Sequence, residues 1–287
     1  MNPSTAGLTV VALVAFAANS LLGRMALGNS LQDPVSFTAV RLLAGAIALL
    51  CLNAWFGEGN KGAGESPSPK KQVKDQWLPA LWLFGYALAF SLAYVTLSAA
   101  TGALVLFGFV QLTMMLAALM RGERLSAIRW LGFATAVVGV VYLFLPGLTS
   151  PDPIGAMLMS AAGVAWGLYS IAGRGVRDPI AMTTRNFVFS LPLALLGPLL
   201  AFRQIDVTAL GLLLACVSGA VTSGGGYVVW YKVLPSLTTS QASVLQLSVP
   251  VIAGIGGILF LVESLTARLG IASLLILGGI AISIRSR

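Results

Sequence analysis

Ten stretches of mostly apolar residues, each about the length that crosses a bilayer, fill most of this chain. They are Thr5–Leu27, Val35–Trp55, Trp77–Leu97, Gly102–Met120, Ala127–Leu145, Ile154–Ala172, Met182–Phe202, Thr208–Trp230, Ser240–Val262 and Thr266–Ile284. The links between them are short, so no separate soluble domain fits. Charged residues make up 9% of the 287, against about 25% in a soluble domain. That number cannot cover a water-facing surface. A soluble globule, a disordered chain and a disulfide scaffold are therefore excluded. The runs are continuous rather than alternating, which favours helices over a β-barrel. The expected fold class is an all-α integral membrane protein with ten transmembrane helices.

The basic residues set the orientation. With both termini in the cytoplasm, twelve of the 17 Lys and Arg fall on the inner side, among them Lys70, Arg121, Arg129, Arg174 and Lys232. Three (Arg24, Arg203 and Arg268) fall on the outer side, and Arg41 and Arg185 lie within spans. This is the positive-inside pattern. It also accounts for the high isoelectric point, so no nucleic-acid partner is expected. The expected location is the inner (plasma) membrane, with the lipid bilayer as solvent. Ala15-Phe16-Ala17 has the small-x-small look of a cleavage site, but no Lys or Arg precedes it and the run is long. The first span therefore reads as a retained helix. Gly57–Gln76, rich in Gly, Pro, Ser and Lys, reads as a flexible connector.

Several chemistries are missing. The chain has no histidine, hence no His-based base, metal triad or pH switch. Cys51 and Cys216 stand inside apolar runs and read as buried small hydrophobes. Neither a metal nor a cofactor is expected. All nine carboxylates lie in loops or at span ends. A proton-coupled exporter of cationic drugs needs an acid within the membrane that holds a proton and the cation in turn. The pattern points instead to a neutral or zwitterionic solute moved without proton coupling.

The two halves resemble one another. Phe16-Ala-Ala-Asn-Ser20-Leu-Leu-Gly23-Arg24 aligns with Trp166-Gly-Leu-Tyr-Ser170-Ile-Ala-Gly173-Arg174. Asp33-Pro34-Val35 aligns with Asp178-Pro179-Ile180, each followed by an arginine, Arg41 and Arg185. Glu123-Arg-Leu125-Ser-Ala127 aligns with Glu263-Ser-Leu265-Thr-Ala267. The unit is five spans, residues 1–150 and 151–287. An odd number of spans forces successive units to insert with opposite orientation, the arrangement of many secondary transporters.

These motifs resemble the EamA family of the drug/metabolite transporter superfamily, along nearly the whole chain. Size and aromatic-rich spans are similar to the YddG-type amino-acid exporters within it. The resemblance implies a ten-helix basket in which helices 1–4 and 6–9 line a central cavity and helices 5 and 10 pack outside. It implies transport rather than enzymatic activity.

Polar and aromatic side chains deep in spans are the candidate substrate contacts, because polar groups there are costly unless they face protein or water. Asn19, Gln111 and Gln246 are proposed to bind the polar head of a substrate, and Tyr86, Trp166 and Tyr227 to shape the cavity. Tyr169 and Ser223 complete the set. Trp55, Trp77, Trp130, Trp230 and Tyr231 stand near span ends and read as an interfacial belt. Gly224-Gly225-Gly226 reads either as a close-packing surface or as a hinge. Pro250, four residues after Gln246, frees a carbonyl and can kink its helix. Arg41 and Arg185 read as snorkelling or loop-pinning arginines paired with Asp33 or Asp178, with carboxylate capture as the alternative. Glu123 and Glu263 read as caps for the helices starting at Ser126 and Thr266, or as holders of the turn.

The expected function is export of neutral amino acids, including aromatic and large hydrophobic ones, by alternating access. A drug, nucleoside or other metabolite exporter is the alternative within the superfamily. A membrane enzyme is the remote one, because no cluster of acids or Cys marks a catalytic face. The sequence carries no signal for oligomerisation, and a monomer is expected.

Overall fold

The computed structural model describes residues 3–56, 69–122, 126–147, 150–173, 178–200, 206–237, 242 and 245–285. They form α1 (Pro3–Gly28), α2 (Pro34–Phe56), α3 (Pro69–Ala93), α4 (Ala99–Met120), α5 (Ala127–Phe144), α6 (Pro153–Ala172) and α7 (Pro179–Leu200). An eighth, α8, runs through Ala209–Val217, a π-helical stretch Ser218–Gly225 and Gly226–Val233. Last come α9 (Ser248–Leu261) and α10 (Ala267–Arg285). The all-α class holds, and seven of these helices are long and apolar enough to cross a membrane. Glu123 and Arg174, two of the repeat-matched residues, lie outside the described residues.

Local chemistry explains the boundaries. Proline opens α1, α2, α3, α6 and α7, where its missing N–H costs nothing. Side-chain caps set other starts: Ser98 Oγ accepts from Thr101 N, Asp152 Oδ2 from Gly155 N, Thr208 Oγ1 from Gly211 N and Thr266 Oγ1 from Leu269 N. Two expectations need correction. Gly57–Gln76 is not all connector, because α3 starts at Pro69. Cys51 is exposed and Cys216 half-buried, so neither is a core residue.

Each helix of the first five meets a partner of the last five running the opposite way. The start of α2 lies by the end of α7, where a Cβ on Gly197 would strike Val35. At the start of α4, Ala99 N donates to Glu263 Oε2, just past the end of α9. Gly132 near the start of α5 abuts Gly279 and Ser283 near the end of α10. Thr96 Oγ1, past the end of α3, donates to Asp152 Oδ2 at the start of α6, and Arg24 at the end of α1 reaches the same loop. There α8 also begins, with Thr208 N donating to Leu31 O. The packing repeats under exchange of the halves: α3 lies on α6 and α7 as α8 lies on α1 and α2, and α4 lies on α6 as α9 lies on α1. Large apolar side chains such as Leu131, Val141, Leu259 and Leu274 cover the outside.

Candidate functional site

A cavity of about 420 Å³ lies between α1, α3, α4, α6, α8 and the segment leading into α9. It runs from the middle of α1 and α3 toward the C-terminal ends of α6 and α8, reaching Gly173, Leu234 and Leu237. Aromatic rings form its body. Trp166 is central, with ring centroids 4.8 Å from Tyr86, 5.3 Å from Tyr169 and 5.0 Å from Tyr227. Phe90 lies 5.6 Å from Tyr86, and Phe16 meets Tyr227 and Trp230 edge-on at 6.0 and 5.8 Å. The spacing of four residues on α3 brings Tyr86, Phe90 and Tyr94 into one column.

The polar end is built around Asn19. Its Oδ1 accepts from Ser218 Oγ at 2.7 Å and Thr222 Oγ1 at 3.3 Å, which leaves its Nδ2 to donate to Tyr86 Oη at 3.4 Å. Ser20 and Thr222 share the wall with it. The π-helical stretch supplies this cluster. Its wider turn sets Ser218 and Thr222 toward α1, and Gly219 lets α8 touch the α2 backbone, where a Cβ would strike the Arg41 carbonyl. The three consecutive glycines end this stretch: Gly224 and Gly225 lie in it and Gly226 follows, its Cβ position 3.1 Å from Ala15.

Beyond the Asn19 layer, Arg24 and Glu263 join the helix ends. Arg24 Nε donates to Glu263 Oε1 at 3.1 Å, and Arg24 Nη1 donates to the carbonyls of Tyr94 and Val95 at 3.2 and 3.0 Å. Glu263 also accepts from Ala99 N at 2.9 Å. Glu263 therefore joins α1 to α4, and Arg24 adds the end of α3; of the two roles expected of Glu263, the cap of the next helix falls to Thr266.

The predicted residues divide. Asn19, Tyr86, Trp166, Tyr227 and Gln246 line the cavity. Tyr169 and Ser223 are buried one layer behind it, and Gln111 is buried on α4 outside the wall. At 100° per residue, Gln111 is turned about 40° from Phe107, about 60° from Met114 and about 140° from Leu106, the wall residues of that helix. Pro250 is buried in the first turn of α9, just beyond a break at Leu247. Trp230 and Tyr231 correct the belt reading, because both line the cavity. Trp55, Trp77 and Trp130 do face outward. Sequence reasoning passed over Phe16 and Ser170, although the repeat pairs them with Trp166 and Ser20, and all four line the wall.

Arg41 departs most from expectation. It neither snorkels nor pairs with Asp33, whose Oδ1 accepts from Val35 N and Ser36 N. Arg41 is 1% exposed. Its Nη2 donates to Tyr86 Oη at 3.0 Å and its Nε to Ser223 Oγ at 3.4 Å, with the guanidinium 4.6 Å from the Phe90 ring centre. Asp178 likewise caps its own helix through Ala181 N.

Comparison with known proteins agrees with this architecture. A family model described as the EamA-like transporter family matches residues 4–145 and again 153–285. The chain is 48% identical over 280 residues to an uncharacterized protein of Pseudomonas aeruginosa, covering 98% of this chain and 94% of that one. It is 29% identical over 265 residues to the threonine/homoserine exporter RhtA of Escherichia coli K12, covering 90% and 84%. An uncharacterized transporter of Archaeoglobus fulgidus is 29% identical over 231 residues, covering 76% and 81%. A solved crystal structure, 22% identical, superposes with a TM-score of 0.60 over 96% of this chain and 95% of that one, which shows a shared fold. With one family model matching two successive stretches and a 48% identical relative along nearly its whole length, this multi-pass membrane protein belongs to the EamA-like transporter family.

Proposed function

We propose that this transporter exports neutral amino acids, including aromatic and large hydrophobic ones, from the cytoplasm by alternating access, without proton coupling. The cavity carries this reading: a polar end at Asn19, Ser20 and Thr222 continues into walls of Tyr86, Trp166 and Tyr227. An α-amino and carboxylate head suits the first and an apolar side chain the second. Its volume of about 420 Å³ lies in the range of small-molecule sites. Similarity to a threonine/homoserine exporter supports the amino-acid class.

The two halves are inverted repeats, residues 1–150 and 151–287, in the inner membrane with both termini cytoplasmic. The antiparallel course of α2 and α7, α4 and α9, and α5 and α10 supports the inversion. In that topology the wall toward Leu237 faces the cytoplasm and the Arg24–Glu263 pair closes the outer side. Rocking one half on the other then opens the outer side, with Gly224–Gly226 and Pro250 as hinges. No described carboxylate lines the cavity, so a proton has no acid to ride on.

Purified protein in liposomes loaded with L-phenylalanine or L-threonine tests this. Efflux down the amino-acid gradient is expected with the pH equal on both sides. Efflux only under an imposed proton gradient contradicts the uncoupled mechanism, and no efflux of any neutral amino acid contradicts the substrate class.

A further inference from the structure

We infer that Arg41, acting through Tyr86, makes the polar end of the cavity a site for a carboxylate and so sets the charge of the cargo; this rests on reading the cavity as the substrate site. A charge within the membrane is costly and is normally paired. Arg41 is fully buried, yet the one ion pair among the described residues is Arg24–Glu263. Asp33 stands eight residues before it, about 12 Å along the helix axis, where its Oδ1 accepts from Val35 N and Ser36 N. The partners of Arg41 are neutral: the hydroxyls of Tyr86 and Ser223, and the rings of Phe90 and Tyr86 at 4.6 and 5.2 Å. Its Nη1 has no hydrogen-bond partner among the described residues. The site holds a positive charge that the described protein does not neutralise.

Tyr86 passes that charge to the cavity. Its oxygen accepts from Arg41 Nη2 and from Asn19 Nδ2. The amide of Asn19 is fixed in that sense because its own oxygen accepts from Ser218 and Thr222. With both lone pairs of Tyr86 engaged, the hydroxyl meets a ligand as a donor only. A guanidinium behind it polarises the O–H and strengthens the bond it gives. A donor backed by a buried cation favours a carboxylate over a neutral amide and rejects an ammonium. Arg41 thus acts as a positioning residue and Tyr86 as the contact.

Equilibrium binding to the full chain in lipid nanodiscs, read by fluorescence of Trp166 and Trp230 in the cavity wall, tests this with three probes. They are L-phenylalanine, 3-phenylpropionate (a carboxylate without the amine) and L-phenylalaninamide. Both carboxylates are expected to bind roughly tenfold more tightly than the amide. Tyr86→Phe, which keeps the ring, should bring the ratio to within about twofold, and Arg41→Lys, which keeps the charge without the planar fork, should leave it intermediate. Melting temperatures separate a lost preference from a lost fold, since a purely structural role lowers all three affinities together. Amide binding as tight as carboxylate binding in the wild type overturns the inference, as does an unchanged ratio in a folded Tyr86→Phe or binding of none of the probes. Binding of 3-phenylpropionate without L-phenylalanine upholds it and contradicts the amino-acid reading instead.

Discussion

The pair α5–α10 and the centre formed by α1, α3 and α8 solve opposite problems in the same membrane. In the outer pair, small residues let two backbones touch: a Cβ on Gly279 would lie 2.6 Å from the Gly132 carbonyl, and one on Gly139 would lie 2.8 Å from Ile276. Lipid is as apolar as leucine, so close van der Waals contact holds such a pair. In the centre, Asn19, Arg41, Ser218, Thr222 and Ser223 are buried together inside apolar helices. Polar groups there are tolerated where they hydrogen-bond one another or face a cavity. The outer pair is held by close packing; the centre bears the cost of buried polar groups.

Substitutions should separate the two. The largest effect is expected from Gly132→Leu, which forces α5 from α10 and should cost about 3 kcal/mol. Thermal unfolding in detergent should show a fall of several degrees, while the substrate preference of the protein that remains folded stays unchanged. Trp166→Leu keeps the position apolar but removes the ring that meets Tyr86 and Tyr227. Flux of L-phenylalanine should fall roughly tenfold and flux of L-leucine much less. Equal losses for both would move Trp166 from cavity shape to scaffold. The smallest effect is expected from Glu263→Gln. It weakens the tie to Arg24 and Ala99 by about 1 kcal/mol, about fivefold in the balance between closed and open ends. Maleimide labelling of a cysteine placed at Ser98 should speed up accordingly, and unchanged labelling would show that the pair does not hold that end shut.

Much of the fold is legible in the sequence because the membrane imposes a length on each apolar run, and Pro, Ser, Thr and Asp mark the helix starts. The cavity is legible where chemistry is unusual for its depth, as with Asn19 and Trp166. It is illegible where depth misleads. Trp230 and Tyr231 stand at a span end, where aromatic residues usually meet the lipid headgroups, but here they line the cavity together with Leu234 and Pro235, which follow them. Gln111 lies off the wall for another reason: hydropathy gives depth but not rotation, and Gln111 is turned about 40° past Phe107, at the edge of the α4 wall. For Arg41 the sequence offered Asp33 as a partner, and the structure spends that carboxylate on capping α2. The π-helical stretch, which places Ser218 and Thr222 against Asn19, carries no signal beyond its glycines.

Counterflow tests the central claim most directly. Liposomes holding the purified protein are loaded with unlabelled L-phenylalanine and diluted into a trace of labelled L-phenylalanine, with no ion or pH gradient. A carrier that presents one cavity to each side in turn predicts transient accumulation of label above equilibrium, strongly reduced in Trp166→Leu. Label that only creeps to equilibrium, as in protein-free liposomes, would contradict it.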